Sequence, residues 1–124
     1  MSLASFQQLV VWQKSMELVE RCYALTARFG RSDQIGLGHD IRKSSVSIPS
    51  NIAEGFGRHR TAEYVHHLRY AVGSNNELRT QLELARRVGA VTSDAVDPLL
   101  AEADEVGRLL SGLIRSLRTK TSNP

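Results

Sequence analysis

The 124-residue sequence predicts an all-α fold, an antiparallel up-down-up-down four-helix bundle. Three observations lead there. Apolar residues return at spacings of three and four through four long segments, short runs of turn and cap residues separate those segments, and nothing alternates with the period of a strand. The predicted helices span about 6–29, 33–56, 61–88 and 94–118 of a single domain covering residues 1–124, and 119–124 read as a frayed tail. A longer helical hairpin assembling between chains uses the same seams.

In the first helix, Trp12, Met16, Val19 and Tyr23 form one seam and Leu18, Cys22, Leu25 and Phe29 a neighbouring one, which predicts a wide apolar face. Gly30 stands where a helix stop belongs, and Ser32 with Asp33 where the next helix begins. The second helix turns Ile41, Ile48, Ile52 and Phe56 inward. It also carries Pro49, which removes the bond to the Ser45 carbonyl and predicts a kink, before Gly55 and Gly57 help to end it. Thr61 caps the third helix, whose seam is Leu68, Ala71, Asn75, Leu78, Leu82 and Ala85, followed by Gly89. The fourth starts near Asp94, or as late as Pro98 with Asp97 as its cap. Its seam is the cleanest in the chain: Val96, Leu99, Ala103, Val106, Leu110, Leu113 and Leu117.

Composition narrows the function classes. An apolar share of 41% fills one ordinary core, and with 6% aromatics that core is mostly Leu, Ile, Val and Ala. No apolar run reaches the length of a membrane span, and Met1-Ser2-Leu3-Ala4-Ser5 lacks a signal peptide's basic flank, so the expectation is a cytosolic protein without membrane contact. The lone Cys22 falls on an apolar helix face and reads as a buried small hydrophobe. A formal net charge of +3 is mildly basic and compatible with nucleic acid.

The most informative stretch is Ser45 to Arg58. Ser44, Ser47, Asn51 and Glu54 make a polar stripe beside the apolar one on a helix that must be buried. Pairing the hairpins in antiparallel order brings Trp12 and Gln13 level with Ser50 and Asn51, and Gly73 level with Val46 and Ser47. The expectation is a hydrogen-bond network of Gln13, Ser47, Asn51, Glu54 and Ser74 around Pro49, with Ala53, Gly73 and Ser74 allowing close helix approach. The competing reading is a ligand or subunit-contact pocket at the kink, with Glu54 as its anion.

Charge segregates along the fourth helix: Asp94, Asp97, Glu102, Asp104 and Glu105 come first, then Arg108, Arg115, Arg118 and Lys120. The helix dipole favours that order. In the bundle it also places Arg115, Arg118 and Lys120 at the same end as Arg58, His59 and Arg60, with Arg69 and the His66-His67 pair a turn or two further in. Such a basic pole suits phosphate backbones through counterion release. Leu100, Gly107 and Ile114, with Leu109 on the other side, form a surplus apolar flank that reads as a subunit interface.

Metal and catalytic chemistry find little to work with. Glu63-x-x-His66 has the spacing of a carboxylate-bridged di-iron helix, yet no second pair of that kind exists in the chain. The serines of the second helix lack a nucleophile elbow, and Gly55-Phe56-Gly57 follows a helix rather than a strand. The expectation is therefore no catalytic, cofactor or metal site.

Trp12-Gln13-Lys14, the run Ser47-Ile48-Pro49-Ser50-Asn51-Ile52-Ala53-Glu54-Gly55, Gly73-Ser74-x-x-Glu77-Leu78 and Gln81-Leu82 occur in that order. On these motifs the chain, from Phe6 to Leu117, resembles the four-helix bundle proteins encoded by intervening sequences in bacterial 23S ribosomal RNA genes. A related branch contains the accessory variability proteins of diversity-generating retroelements. The resemblance implies a cytosolic, non-enzymatic bundle assembled as a homo-oligomer, a cyclic pentamer. It implies structured or ribosomal RNA as one partner and a protein such as a reverse transcriptase as the alternative. Asn75 departs from the pattern, standing where the family usually has an apolar residue.

Overall fold

The computed structural model describes residues 5–122. Met1 to Ala4, on which the signal-peptide reading rests, and Asn123 and Pro124 of the expected tail lie outside them. Four long helices carry the fold: α1 (Val10–Thr26), α2 (His39–Phe56), α3 (Thr61–Arg87) and α4 (Ser93–Ser122). No strand occurs among the described residues. Contacts along α2 and α3 pair rising numbers with falling ones: Ser47 meets Ser74, Asn51 meets His67, and Gly55 lies against Tyr64. The same holds between α3 and α4, where Asn75 meets Ala103 and Gly107, and Arg79 meets Asp104.

The seams of α3 and α4 are as the sequence predicts. Leu68, Ala71, Asn75, Leu78, Leu82 and Ala85 are buried, as are Val96, Leu99, Ala103, Val106 and Leu110; Leu113 and Leu117 are half-buried against the same core. From α2, Ile41, Ile48 and Ile52 complete the interior. Of the two expected seams of the first helix one is fully core, while in the other Trp12 packs half-buried against the core and Val19 is half-buried. Leu18, Cys22, Leu25 and Phe29 are buried together with Val11 and Ser15, whereas Met16 is 39% and Tyr23 49% exposed. Ser15 can sit in that seam because its hydroxyl donates to its own helix, to the Trp12 carbonyl at 2.8 Å. Thr26 and Ser45 are buried on the same terms, bonded to Tyr23 O and Arg42 O.

Helix boundaries depart from expectation in five places, each for a local reason. The first helix does not run unbroken from Phe6. Ser5 caps a single 3₁₀ turn, Phe6–Gln8, and Leu9 is extended (φ −73°, ψ 126°) before α1 begins. Phe6 packs edge-on against Trp12, and the Gln13 amide holds the turn through the Gln7 carbonyl at 2.9 Å. Gly30, not Ser32, precedes the next helical turn, Arg31–Asp33. That turn leads through a π-helical stretch, Gln34–Gly38, into α2. Gly38 fits a tight place there, since a Cβ would lie 3.2–3.3 Å from Asp33 O, Arg42 Nη1 and Phe29 Cδ2. Arg42 donates to the Gln34 carbonyl at 3.3 Å across the wide turn.

Thr61 is the first residue of α3 rather than its cap, which is Arg60. Helix α4 begins at Ser93, so Pro98 lies inside it and Asp97 is not its cap; only the Asp94 carbonyl loses its helical donor. At its far end, residues 119–122 are helical and not a frayed tail. Gly89, at φ +77°, ends α3 in the left-handed conformation that suits glycine.

Candidate nucleic-acid interface

Two polar regions stand out, and α3 belongs to both. On its α2 side, Pro49 sits within the helical span of α2. Its missing N–H leaves the Ser45 carbonyl without the usual donor, and side chains serve the next carbonyls along the helix. Ser50 Oγ donates to Val46 O at 2.8 Å, and Asn51 Nδ2 to Ser47 O at 2.9 Å. Asn51 Nδ2 also reaches Ser47 Oγ, which bonds Ser74 Oγ of α3 at 2.8 Å, while Asn51 Oδ1 faces His67 Nδ1 at 3.5 Å.

The network therefore comprises Ser47, Asn51, Ser74 and His67, and the expected membership needs correction at two positions. Gln13 is exposed and holds the N-terminal turn. Glu54 is exposed and pairs with Arg58 one turn along its own helix. Neither side chain joins the bonds made across the α2–α3 contact. Glu54 is accordingly not the anion of an interior pocket. It shares a shallow surface depression with Ala53, Gly57, Arg58, His59 and Glu63.

Close approach of α2 and α3 also falls elsewhere than expected. A Cβ at Gly73 would meet nothing within 4 Å, whereas one at Gly55 would lie 2.9 Å from His67 Cβ and 3.0 Å from Tyr64 Cδ1. Burial beneath this contact raises the Tyr64 phenol above its ordinary range. Further along, Ser44, Ser47, Ser74, Glu77 and Gln81 line a cleft of about 290 Å³ with Asp40 and Lys43 at its edge.

On its α4 side, α3 borders a groove of about 770 Å³. Arg69 from α3 and Arg115 and Arg118 from α4 line it. Val72 and Ile114 provide apolar wall, Gly73 leaves one side open, and Ser111 and Thr119 add hydroxyls. No carboxylate lines it, and none of the ion pairs among the described residues involves Arg69 or Arg115.

The acidic half of α4 is engaged elsewhere. Glu105 faces Lys14 at 3.8 Å, Glu102 faces Arg21 at 3.3 Å, and Asp104 faces Arg79 at 2.7 Å. Arg69, Arg115 and Arg118 share a groove, Arg58 and His59 lie beside Glu54 and Glu63, and Arg60 and Lys120 are exposed at helix ends. Val72, Ser111, Ile114 and Thr119 were not foreseen as lining. For Ser111, Ile114 and Thr119 the spacing on α4 with Arg115 and Arg118 (111, 114, 115, 118, 119) is the one-face signature that could have found them.

The apolar flank of α4 turns largely inward. Leu100, Leu109 and Ile114 are half-buried against the core, and Gly107 faces α3, where a Cβ would stand 3.2 Å from Asn75 Nδ2. Asn75 is buried, donating to Ala103 O at 2.9 Å, with its Oδ1 unpartnered. The Cys22 thiol is buried and pushed up to about 12, chiefly by burial, which makes it a poor nucleophile. Glu63 and His66 are exposed, and among the described residues no group of three or more His, Cys, Asp or Glu could hold a metal ion. No described helix is long and apolar enough to cross a membrane.

The architecture defines a class, the all-α four-helix bundles. Residues 7–112 match the 23S rRNA-intervening sequence protein family, and the chain belongs to it. Among solved structures it is similar to a protein of unknown function from the S23 ribosomal protein family of Bacteroides thetaiotaomicron, determined at 1.70 Å. The two share 26% identity and a TM-score of 0.80, over 85% of this chain and 98% of that one. Comparison with curated proteins gives no significant match.

Proposed function

We propose that this protein is a non-enzymatic homo-oligomer that holds structured RNA by its phosphate backbone in the α3–α4 groove. One observation carries the reading: Arg69, Arg115 and Arg118 line one groove in which no carboxylate takes part. Guanidiniums of this kind bind phosphate by charge-assisted, bidentate bonds and release counterions from the nucleic acid. Membership of a family described by a 23S rRNA intervening sequence agrees with an RNA partner.

Filter binding to a structured RNA at low and at physiological salt tests it. The expected result is salt-sensitive affinity that falls steeply when Arg69, Arg115 and Arg118 are together replaced by Ala. Unchanged affinity in that triple variant removes the groove as the site.

Self-association draws support from the exposed apolar side chains on the outer side of α1 and α2. Met16 and Tyr23 lie one heptad apart on α1, and Tyr23 packs under Arg42, a turn from the exposed Val46. A ring of subunits would cover this face and repeat the basic groove around an axis. Light scattering at micromolar concentration is the test: an oligomeric mass is expected, and a monomer refutes the ring and leaves the face to a protein partner.

A further inference from the structure

We infer that the α3–α4 groove receives an unpaired nucleotide, base and phosphate together, rather than the phosphate ridge of a duplex; this rests on the reading of the groove as an RNA site. A surface that only tracks phosphates needs cations and no depth. This one is concave, and its volume of about 770 Å³ is that of a small-molecule site. The groove is open along one side, and a splayed base can lie in it beside its phosphate.

The lining divides by chemistry in the same way. Arg69, Arg115 and Arg118 suit the phosphate, and a guanidinium plane also stacks on a base. Val72 and Ile114 offer nothing to a phosphate but give an apolar bed for the face of a base. Ser111 presents a hydroxyl, and Thr119 Oγ1, which donates to the Arg115 carbonyl at 2.9 Å, keeps its lone pairs for a donor.

Gly73 supplies an independent observation. Glycine within a helix weakens it, and ordinary packing explains the residue where a side chain would collide, as at Gly55. At Gly73 there is no such collision, because a Cβ would meet nothing within 4 Å. What glycine preserves at this position is the open space of the groove itself.

Fluorescence anisotropy at low salt, with a labelled ten-nucleotide oligouridine and an RNA duplex of the same length, tests the inference. The wild-type chain is expected to prefer the single strand. Gly73→Leu, which fills the groove without altering charge, should weaken single-strand binding about tenfold or more and leave the duplex unaffected, and Gly73→Ala should act in the same direction to a smaller extent. Circular dichroism melting of each variant checks that the bundle is intact. If Gly73→Leu binds the single strand normally while the triple arginine variant loses both RNAs, the nucleotide pocket is wrong and the phosphate surface stands. If the wild-type chain binds neither RNA, the groove is not an RNA site and both readings fall.

Discussion

The two faces of α3 meet their neighbours in opposite ways. Against α2 the contact is tight and internally bonded: Gly55 lets the backbone approach His67 and Tyr64, and Ser47, Asn51, Ser74 and His67 answer one another's polar groups. Against the last turns of α4, Gly73 and Ser111 leave open space in a groove that three arginines line. Both regions are rich in small and polar residues, so composition alone does not distinguish them. What does is whether the lining brings complementary groups together. Where hydroxyl, amide and imidazole meet across the contact, polarity fixes alignment; where the walls hold cations and no acid, it is available to a ligand.

The sharpest way to break the comparison is to make one substitution on both faces. Gly55→Ala should destabilise by about 1–3 kcal/mol, because its methyl would press on His67 Cβ, which cannot swing away as a flexible chain end could. Gly73→Ala should instead stabilise by about 0.5–1 kcal/mol, the usual gain of alanine over glycine inside a helix. Urea melts of the two variants should shift in opposite directions; shifts of the same sign would dissolve the distinction drawn between the faces.

Smaller effects sharpen it. Asn51→Ala removes bonds to Ser47 and the partner of His67, so a loss of about 1–2 kcal/mol is expected. Glu54→Ala, three residues on, removes only an exposed pair and should stay within about 0.5 kcal/mol of the parent. Equal losses in the two would restore Glu54 to the network.

Titration gives a further contrast. Burial, opposed by Arg21, raises the Glu102 carboxyl, so the folded state takes up a proton there before the unfolded chain does. Stability from this group therefore increases as pH falls from neutral through its raised folded value toward the ordinary glutamate range, and Glu102→Gln should remove that rise from a plot of melting temperature against pH. Glu83, lowered by Arg86 and Arg87, runs the other way, with stability present above the ordinary range and lost as pH falls through its depressed folded value. The least conspicuous expectation concerns Cys22: a thiol reagent at neutral pH should label it only after denaturant is added, and rapid labelling of the native chain would contradict its burial.

The fold was legible wherever apolar spacing was strict. Leu78, Leu82 and Ala85, and Val96, Leu99, Ala103, Val106 and Leu110, announce their faces without ambiguity. In α1 the wider stripe misled, since Met16 and Tyr23 look as apolar as Leu18 and Leu25, and Ser15 conceals its place in the core by bonding to its own backbone. The polar network was legible in part. Ser47, Asn51 and Ser74 follow from antiparallel pairing, but that pairing fixes height along the bundle and not direction around each rod. Gln13 and Glu54 were lost on this account, and His67 was gained from a residue first noted only for its charge. The groove was least visible, because it arises from a gap between two helices, and a gap leaves its trace only in residues as unobtrusive as Gly73 and Ser111.

The wide turn at Gln34–Gly38 has one more consequence. A π-helical turn accommodates one additional residue without passing its rotation on to the helix beyond it, so Ile41, Ile48 and Ile52 can keep their bearing across a change of one residue before them. The hairpin between the first two rods therefore contains slack, and shortening or lengthening it by one residue near Gly36, which is exposed and crowds nothing, should leave the phase of the proline-bearing rod undisturbed.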